Sequence, residues 1–116
     1  MAELGIVKIF YARHGHDAHA HDFKVEVVFQ GEIDQQTNYV AGLDFHEVLD
    51  VIEEIISGLR DKKLEEVLTD WEVAYAENIA KYFLQKIKDN YPVKAVTIWE
   101  AADRYAKIYL EDLKNN

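Results

Sequence analysis

Four of the chain's five histidines fall within eight residues, at His14, His16, His19 and His21. Neutral imidazole is a ligand for divalent d-block metals, and its charge changes near neutral pH. Residues two apart on a strand share a face. His19 and His21 therefore point the same way if a strand begins by Ala18. His14 ends the preceding strand-like segment, and across a tight hairpin its ring can come close to one of that pair. Three imidazoles converging on one side make a three-nitrogen metal site with an open fourth position. Such a position polarises a substrate oxygen or activates a water. Imidazole suits zinc best among common biological metals, with iron, nickel and copper as other occupants. His16 competes with His14 for the third ligand position, and a polar turn with no ligand is the bland alternative. His46, on the first turn of a helix, reads as a solvated helix residue.

The elements that must hold these rings are legible on both sides of the cluster. Ile6-Val7-Lys8-Ile9-Phe10 and Phe23-Lys24-Val25-Glu26-Val27-Val28-Phe29 alternate like half-buried strands. The pattern predicts strands over Leu4–Arg13 and Asp22–Gly31, joined by a short turn around Gly15–Ala18. Residues 32–41 read as a polar connection. Asp44 can cap a helix with Glu47 at its third position. Phe45, Val48, Leu49, Ile52, Ile55 and Ile56 recur at helical spacing, and Gly58 is a terminator. Leu59–Leu68 is a connection that can hold a short helical turn. A second helix runs to Lys88 from either Asp70 or Tyr75. Ile79, Tyr82, Phe83 and Ile87 share its apolar face, and Thr69 with Glu72 makes one plausible capping box at its start. Pro92 precedes a final hairpin of Val93–Glu100 and Tyr105–Leu110, with Ala101–Arg104 as the turn. The order is ββααββ, an α+β pattern of a four-stranded antiparallel sheet with two helices on one face. Its open edges and uncovered face invite assembly with other copies.

Composition narrows the classes. At 116 residues the chain reads as a single domain, residues 1–116, long enough for a real core. Apolar content of 49% with 12% aromatic residues argues against disorder. Zero cysteines exclude disulfides, thiol nucleophiles and thiolate-bound metal. A net charge of −9 with no basic cluster makes nucleic acid an unfit partner. No apolar run approaches a membrane span and no secretory leader is visible, so the sequence predicts a cytoplasmic protein with no membrane partner. The 30% charged content, with no cysteine, hints at a thermophile.

A resemblance sharpens the histidine reading. Phe10-Tyr11-Ala12-Arg13-His14 resembles the F-x-A-x-H of the 6-pyruvoyl-tetrahydropterin synthase family, which includes 6-carboxy-tetrahydropterin synthase. His19-Ala20-His21-Asp22-Phe23-Lys24-Val25 is similar to its H-G-H-N-Y-x-V. Gly42-Leu43-Asp44-Phe45 resembles its entry to the first helix, and Ala76-Glu77-Asn78-Ile79-Ala80 its A-E-N-L-A. Val96-Thr97-Ile98-Trp99-Glu100 resembles the strand that ends in its pterin-anchoring glutamate. The matches run in family order over nearly the whole chain. They imply the T-fold, with zinc held by His14, His19 and His21. They also imply trimers whose sheets close into a barrel, stacking in pairs as hexamers with active sites between subunits. Glu100 would accept two parallel N–H bonds from the guanidine-like edge of a pterin, and Glu77 would help on the same side.

The chain departs from that family where proton transfer is concerned. The cysteine that precedes H-G-H is absent, and the loop between the two histidine motifs is almost gone. The family's L-D-H-x-x-L aligns with Leu59-Arg60-Asp61-Lys62-Lys63-Leu64, so Arg60 and Asp61 stand where an aspartate–histidine pair would be. Asp61 is the remaining candidate acid–base group in that segment. Tyr75 replaces a threonine before A-E-N. The resemblance as a whole implies a zinc-dependent pterin enzyme acting on dihydroneopterin triphosphate or a related dihydropterin. It would be a carbon–oxygen (phosphate-eliminating) lyase or one with altered chemistry. The rival is a homo-oligomer that binds a pterin or purine without turnover. A weaker third reading is a metal-holding assembly domain with no small-molecule pocket.

Overall fold

The computed structural model describes residues 1–114. Two long strands, β1 (Ala2–His14) and β2 (His19–Gly31), pair antiparallel without a register break. Helix α1 spans Phe45–Ser57 and α2 spans Ala76–Ile87, with a single 3₁₀ turn at Leu64–Glu66 between them. Strands β3 (Val93–Ala101) and β4 (Arg104–Tyr109) follow, then a short α3 (Leu110–Lys114). All neighbours in the sheet are antiparallel, in the order β1-β2-β3-β4. This is the α+β sheet-and-helices architecture that the hydrophobic pattern calls for.

Strand alternation decides which face is covered. Leu4, Ile6, Phe10 and Ala12 of β1 and Phe23, Val25, Val27 and Phe29 of β2 are buried. Directly opposed residues share a face, and the paired rings of Phe10 and Phe23 stack 5.5 Å apart. Val48, Ile52 and Ile56 of α1 and Ile79, Ala80, Phe83, Leu84 and Ile87 of α2 join the same core. The odd-numbered residues of β1 turn the other way. Val7 is 56% exposed and Ile9 63%, and Tyr11 and Tyr105 are exposed as well.

Several boundaries differ from the sequence reading. The first hairpin is longer at its tip, because the ladder continues to the pair His14↔His19, leaving only Gly15–Ala18 outside it. Asp44 does cap α1, accepting from the His46 N–H at 2.8 Å. Glu47 does not complete a capping box, since its carboxylate accepts instead from the Tyr91 hydroxyl at 3.0 Å. Gly58 follows α1 with φ −76°, so the helix ends there without using glycine's left-handed freedom. Helix α2 starts at Ala76, with Tyr75 in the capping position making no side-chain cap. Leu110 belongs to α3, not to the last strand. No helix among the described residues is long and apolar enough to cross a membrane.

Candidate metal centre

The hairpin tip delivers three histidines to the helix-covered face. His14 pairs with His19 across the last rung, and Ala12 pairs with His21 two rungs in. Same-face alternation therefore puts His14, His19 and His21 together, with ring centroids 4.5–5.0 Å apart. Phe23 continues that face and packs its ring edge-on against both His14 and His21. Glu100 arrives from β3. The β3–β4 register runs Trp99↔Tyr105 and then Ala101↔Arg104, so Glu100 is the extra residue of a bulge. Bulges re-aim side chains beside sites. Glu100 Oε1 lies 3.0 Å from His14 Nε2, 3.2 Å from His21 Nε2 and 4.0 Å from His19 Nε2. One ligand atom from each of the four residues falls within 4.8 Å of all the others.

The other ring nitrogens fix which atom faces the centre. His14 Nδ1 lies 2.7 Å from the Ala74 carbonyl oxygen. A carbonyl only accepts, so Nδ1 carries a hydrogen and Nε2 is the nitrogen that faces the centre. His19 Nδ1 lies 2.6 Å from Asp17 Oδ1, which orients that ring in the same sense. Partners of this kind orient metal-binding imidazoles. The Asp17 carboxyl is held below its ordinary range, chiefly by that bond from His19. Burial pushes the His21 ring toward its neutral form; the Glu100 charge opposes this, and His14, His19 and Arg104 reinforce it. His14 Nε2 and His21 Nε2 are buried and have no hydrogen-bond partner among the described residues. A carboxylate oxygen about 3 Å from two ring nitrogens calls for a positive charge there, carried by a ring proton or by a metal ion. The donor set fits a metal ion.

A second layer holds this arrangement. Glu65, in the 3₁₀ turn, accepts from the Gly15 N–H at 3.0 Å and from the Ala74 N–H at 2.7 Å. One carboxylate thus ties the hairpin tip to the segment whose carbonyl holds His14. Gly15 has φ +87°, and a Cβ there would stand 2.9 Å from His19 Cε1, so glycine is needed for both conformation and space. Burial alone would raise the Glu65 carboxyl, but the Gly15 and Ala74 N–H groups, with its own N–H and the nearby His14, outweigh it and the net shift is downward. A carboxyl lowered on folding stabilises fully above its unfolded pKa and loses that contribution as pH falls through its folded pKa. Glu65→Gln keeps an oxygen that can accept both N–H groups but removes its charge, and should cost about 1–1.5 kcal/mol near neutrality for each of the two bonds, the difference between a charged and a neutral hydrogen bond. The gap between parent and variant should narrow in acid, as thermal melts at a series of pH values would show. A gap that stays constant into the acid range would contradict the role given to the charge.

The remaining candidates are placed as follows. His16 is exposed in the turn and stands outside the four-residue group. His46 is exposed on α1. Glu77, exposed in the first turn of α2, lines a cavity of about 190 Å³ with Ala76, Glu100, Arg104, Tyr105 and Ala106. Glu100 thus touches both the imidazoles and this cavity. Asp61 has φ +64°, and its N–H donates to the Tyr11 carbonyl on the outer edge of β1. Its side chain is exposed and makes no hydrogen bond or ion pair among the described residues. Glu65, Asp17 and the Ala74 carbonyl were not singled out in the sequence. Only Asp17 had a signal there, being two residues from His19.

The sequence model of 6-pyruvoyl tetrahydropterin synthase matches residues 8–111. The chain belongs to that family. Membership makes it one of a group of pterin-metabolising enzymes, with the T-fold as its architecture. It is similar to dihydroneopterin monophosphate aldolase of Pyrococcus furiosus, 30% identical over 88 residues that cover 72% of this chain and 71% of the relative. The fold matches the structure of Caenorhabditis elegans 6-pyruvoyl tetrahydropterin synthase with a TM-score of 0.81. That alignment covers 93% of this chain and 94% of the other at 17% identity.

Proposed function

We propose that the protein is a zinc-dependent lyase that cleaves a carbon–carbon bond in the phosphorylated side chain of a dihydroneopterin. The observation that carries this reading is the convergence of three imidazole nitrogens on Glu100 beside a ring-sized cavity. His14, His19 and His21 would hold the ion. Bound there, it would supply Lewis-acid polarisation of the side-chain oxygens. Glu100 and Glu77 offer acceptors to the N–H edge of the pterin. The Tyr105 ring gives the cavity an aromatic wall.

The choice of bond follows from what the chain lacks. Eliminating a phosphate while shifting the side chain requires a proton to be taken from carbon, and that needs a tuned base. The chain has no cysteine, and Arg60 and Asp61 replace the aspartate–histidine pair. An aldol cleavage starts from a hydroxyl, whose proton is far more easily removed. The hydroxyl on the second side-chain carbon loses its proton and becomes a carbonyl. The bond to the first carbon breaks, its electron pair moves into the ring imine, and a proton then returns to the first carbon. The products are a hydroxymethyl dihydropterin and a two-carbon aldehyde phosphate. The similarity to a relative named as an aldolase supports this bond over phosphate elimination.

Asp61 is the proposed acid–base group. Within its own chain it stands on the β1 edge, outside the four-residue group, so it would act from a neighbouring copy. A homo-oligomer with three-fold symmetry, trimer or hexamer, is part of the proposal. The exposed Val7 and Ile9 and the two edge strands support it.

Product analysis with dihydroneopterin monophosphate and triphosphate tests the reading. Hydroxymethyl dihydropterin and an aldehyde phosphate are expected. Free inorganic phosphate or triphosphate with the pterin side chain retained would return the protein to the eliminating class. No turnover of either compound, with the ring still bound, would favour a binding protein. Asp61→Asn should slow turnover by roughly 10²–10⁴-fold, the usual weight of a general acid–base group. Zinc content should not change. A variant as fast as the parent would remove Asp61 from the mechanism.

A further inference from the structure

We infer that β4 of one copy completes the β1 edge of the next in one register, with Ile9 opposite the partner's Tyr105, Val7 opposite the partner's Lys107 and Gly5 opposite the partner's Tyr109. The inference rests on the three-fold reading above and names the residues that make the contact.

Along each free edge of the sheet, the backbone groups that face outward belong to alternate residues. On β1 these are Glu3, Gly5, Val7 and Ile9, because Tyr11 C=O and Arg13 N–H already bond to Asp61 and Lys62. On the opposite edge, Tyr109 pairs with Ala95, yet its N–H donates to Asp112 Oδ2 at 3.1 Å. Tyr109 therefore turns its backbone away from β3, and Lys107 and Tyr105 do the same by alternation. The rows Ile9-Lys24-Trp99-Tyr105 and Val7-Glu26-Thr97-Lys107 run straight across the sheet, so these side chains share the uncovered face. Both edges thus offer backbone bonds from residues of that one face. Opposing odd-numbered residues pairs the backbones and continues the face from copy to copy. Sliding β4 two residues toward the hairpin tip would set the partner's Tyr105 against Tyr11, where residues 61–63 already lie. Sliding it two residues the other way would leave Ile9, 63% exposed, opposite the polar Asp103. The register between them pairs Ile9 with Tyr105, which is 58% exposed. It also lays the Tyr109 ring across Gly5, where no side chain competes for space. Asp61, bonded to Tyr11, then stands beside the partner's Arg104 on the wall of that copy's cavity.

The chain has no cysteine, so introduced cysteine pairs report the register without background. Hydrogen-bonded antiparallel pairs have Cα atoms about 5.5 Å apart, a span that a disulfide bridges. On oxidation, Val7→Cys/Lys107→Cys should give a covalent ring of three chains in denaturant. Val7→Cys/Tyr105→Cys and Val7→Cys/Tyr109→Cys should stay as single chains. Crosslinking by either of those in place of the first, or by none in a protein that assembles, would overturn the register. Amide exchange in the assembled parent needs no variant to fold. Gly5, Val7 and Ile9 of one edge and Tyr105 and Lys107 of the other should be protected, and Glu3 should not. A parent that assembles with its Ile9 and Lys107 amides exchanging freely would overturn the inference and leave the three-fold reading standing. A parent that is a single chain at every concentration tried would overturn that reading itself.

Discussion

His14→Ala is expected to remove stoichiometric zinc and to lower turnover by roughly 10³-fold or more. Polarisation by a metal is worth several kcal/mol, and each 1.36 kcal/mol is a factor of ten. The loss should exceed that from the same change at His19, because His14 does two jobs. Its Nε2 faces the centre while its Nδ1–H satisfies the Ala74 carbonyl, and the ring is only 3% exposed. Alanine would leave that carbonyl short of a partner, at about 1–3 kcal/mol, and open a cavity beside Phe23. His19 is exposed, and its hydrogen bond among the described residues is to the exposed Asp17, so His19→Ala should lose metal affinity with little change in stability. Metal analysis alongside thermal melts separates the two effects. Equal stability losses at both positions would mean that the Ala74 bond is not what holds His14. Full zinc occupancy in His14→Ala would remove the residue from the ligand set.

The sequence carried the strands and helices because each apolar residue does one job at one period. β1 alternates through Leu4, Ile6, Phe10 and Ala12, and α1 repeats Val48, Ile52 and Ile56, so face and element type are legible together. The histidines were legible for the same reason: a two-residue spacing on a strand fixes a shared face. Glu65 was not legible, because its role depends on Gly15 and Ala74, which lie 50 and 9 residues away. Nothing in Leu64-Glu65-Glu66 marks that function. The double address of Glu100 was hidden as well. It follows from a bulge, and a one-residue register shift leaves no trace in apolar periodicity. Glu47 shows the opposite failure. Its position matched a capping box, and a tyrosine 44 residues away won the carboxylate instead.

Val7→Pro should convert the proposed three-fold assembly to single chains while preserving the fold. Tyr11 C=O and Arg13 N–H point away from β2, since they bond to Asp61 N–H and Lys62 C=O. In an antiparallel ladder the outward residues alternate. The pairing of β1 with β2 has no register break from Ala2 to His14, so Val7 and Ile9 also turn their backbone groups outward. The 61–63 segment covers the β1 edge near the hairpin tip only. The stretch around Val7 is left as an open template on which a neighbouring copy can add a strand. Proline there removes one outward N–H and leaves the β1–β2 ladder intact, and edge strands tolerate it. Lys8→Pro is the matching control: its N–H points inward, so the ladder itself is broken and the chain should unfold. Because Asp61 is proposed to act across the same edge, Val7→Pro should also lose turnover while keeping zinc. A Val7→Pro protein that sediments as the parent does would show that β1 is not the contact edge. One that is a single chain yet fully active would place the whole reaction, proton transfer included, within one copy.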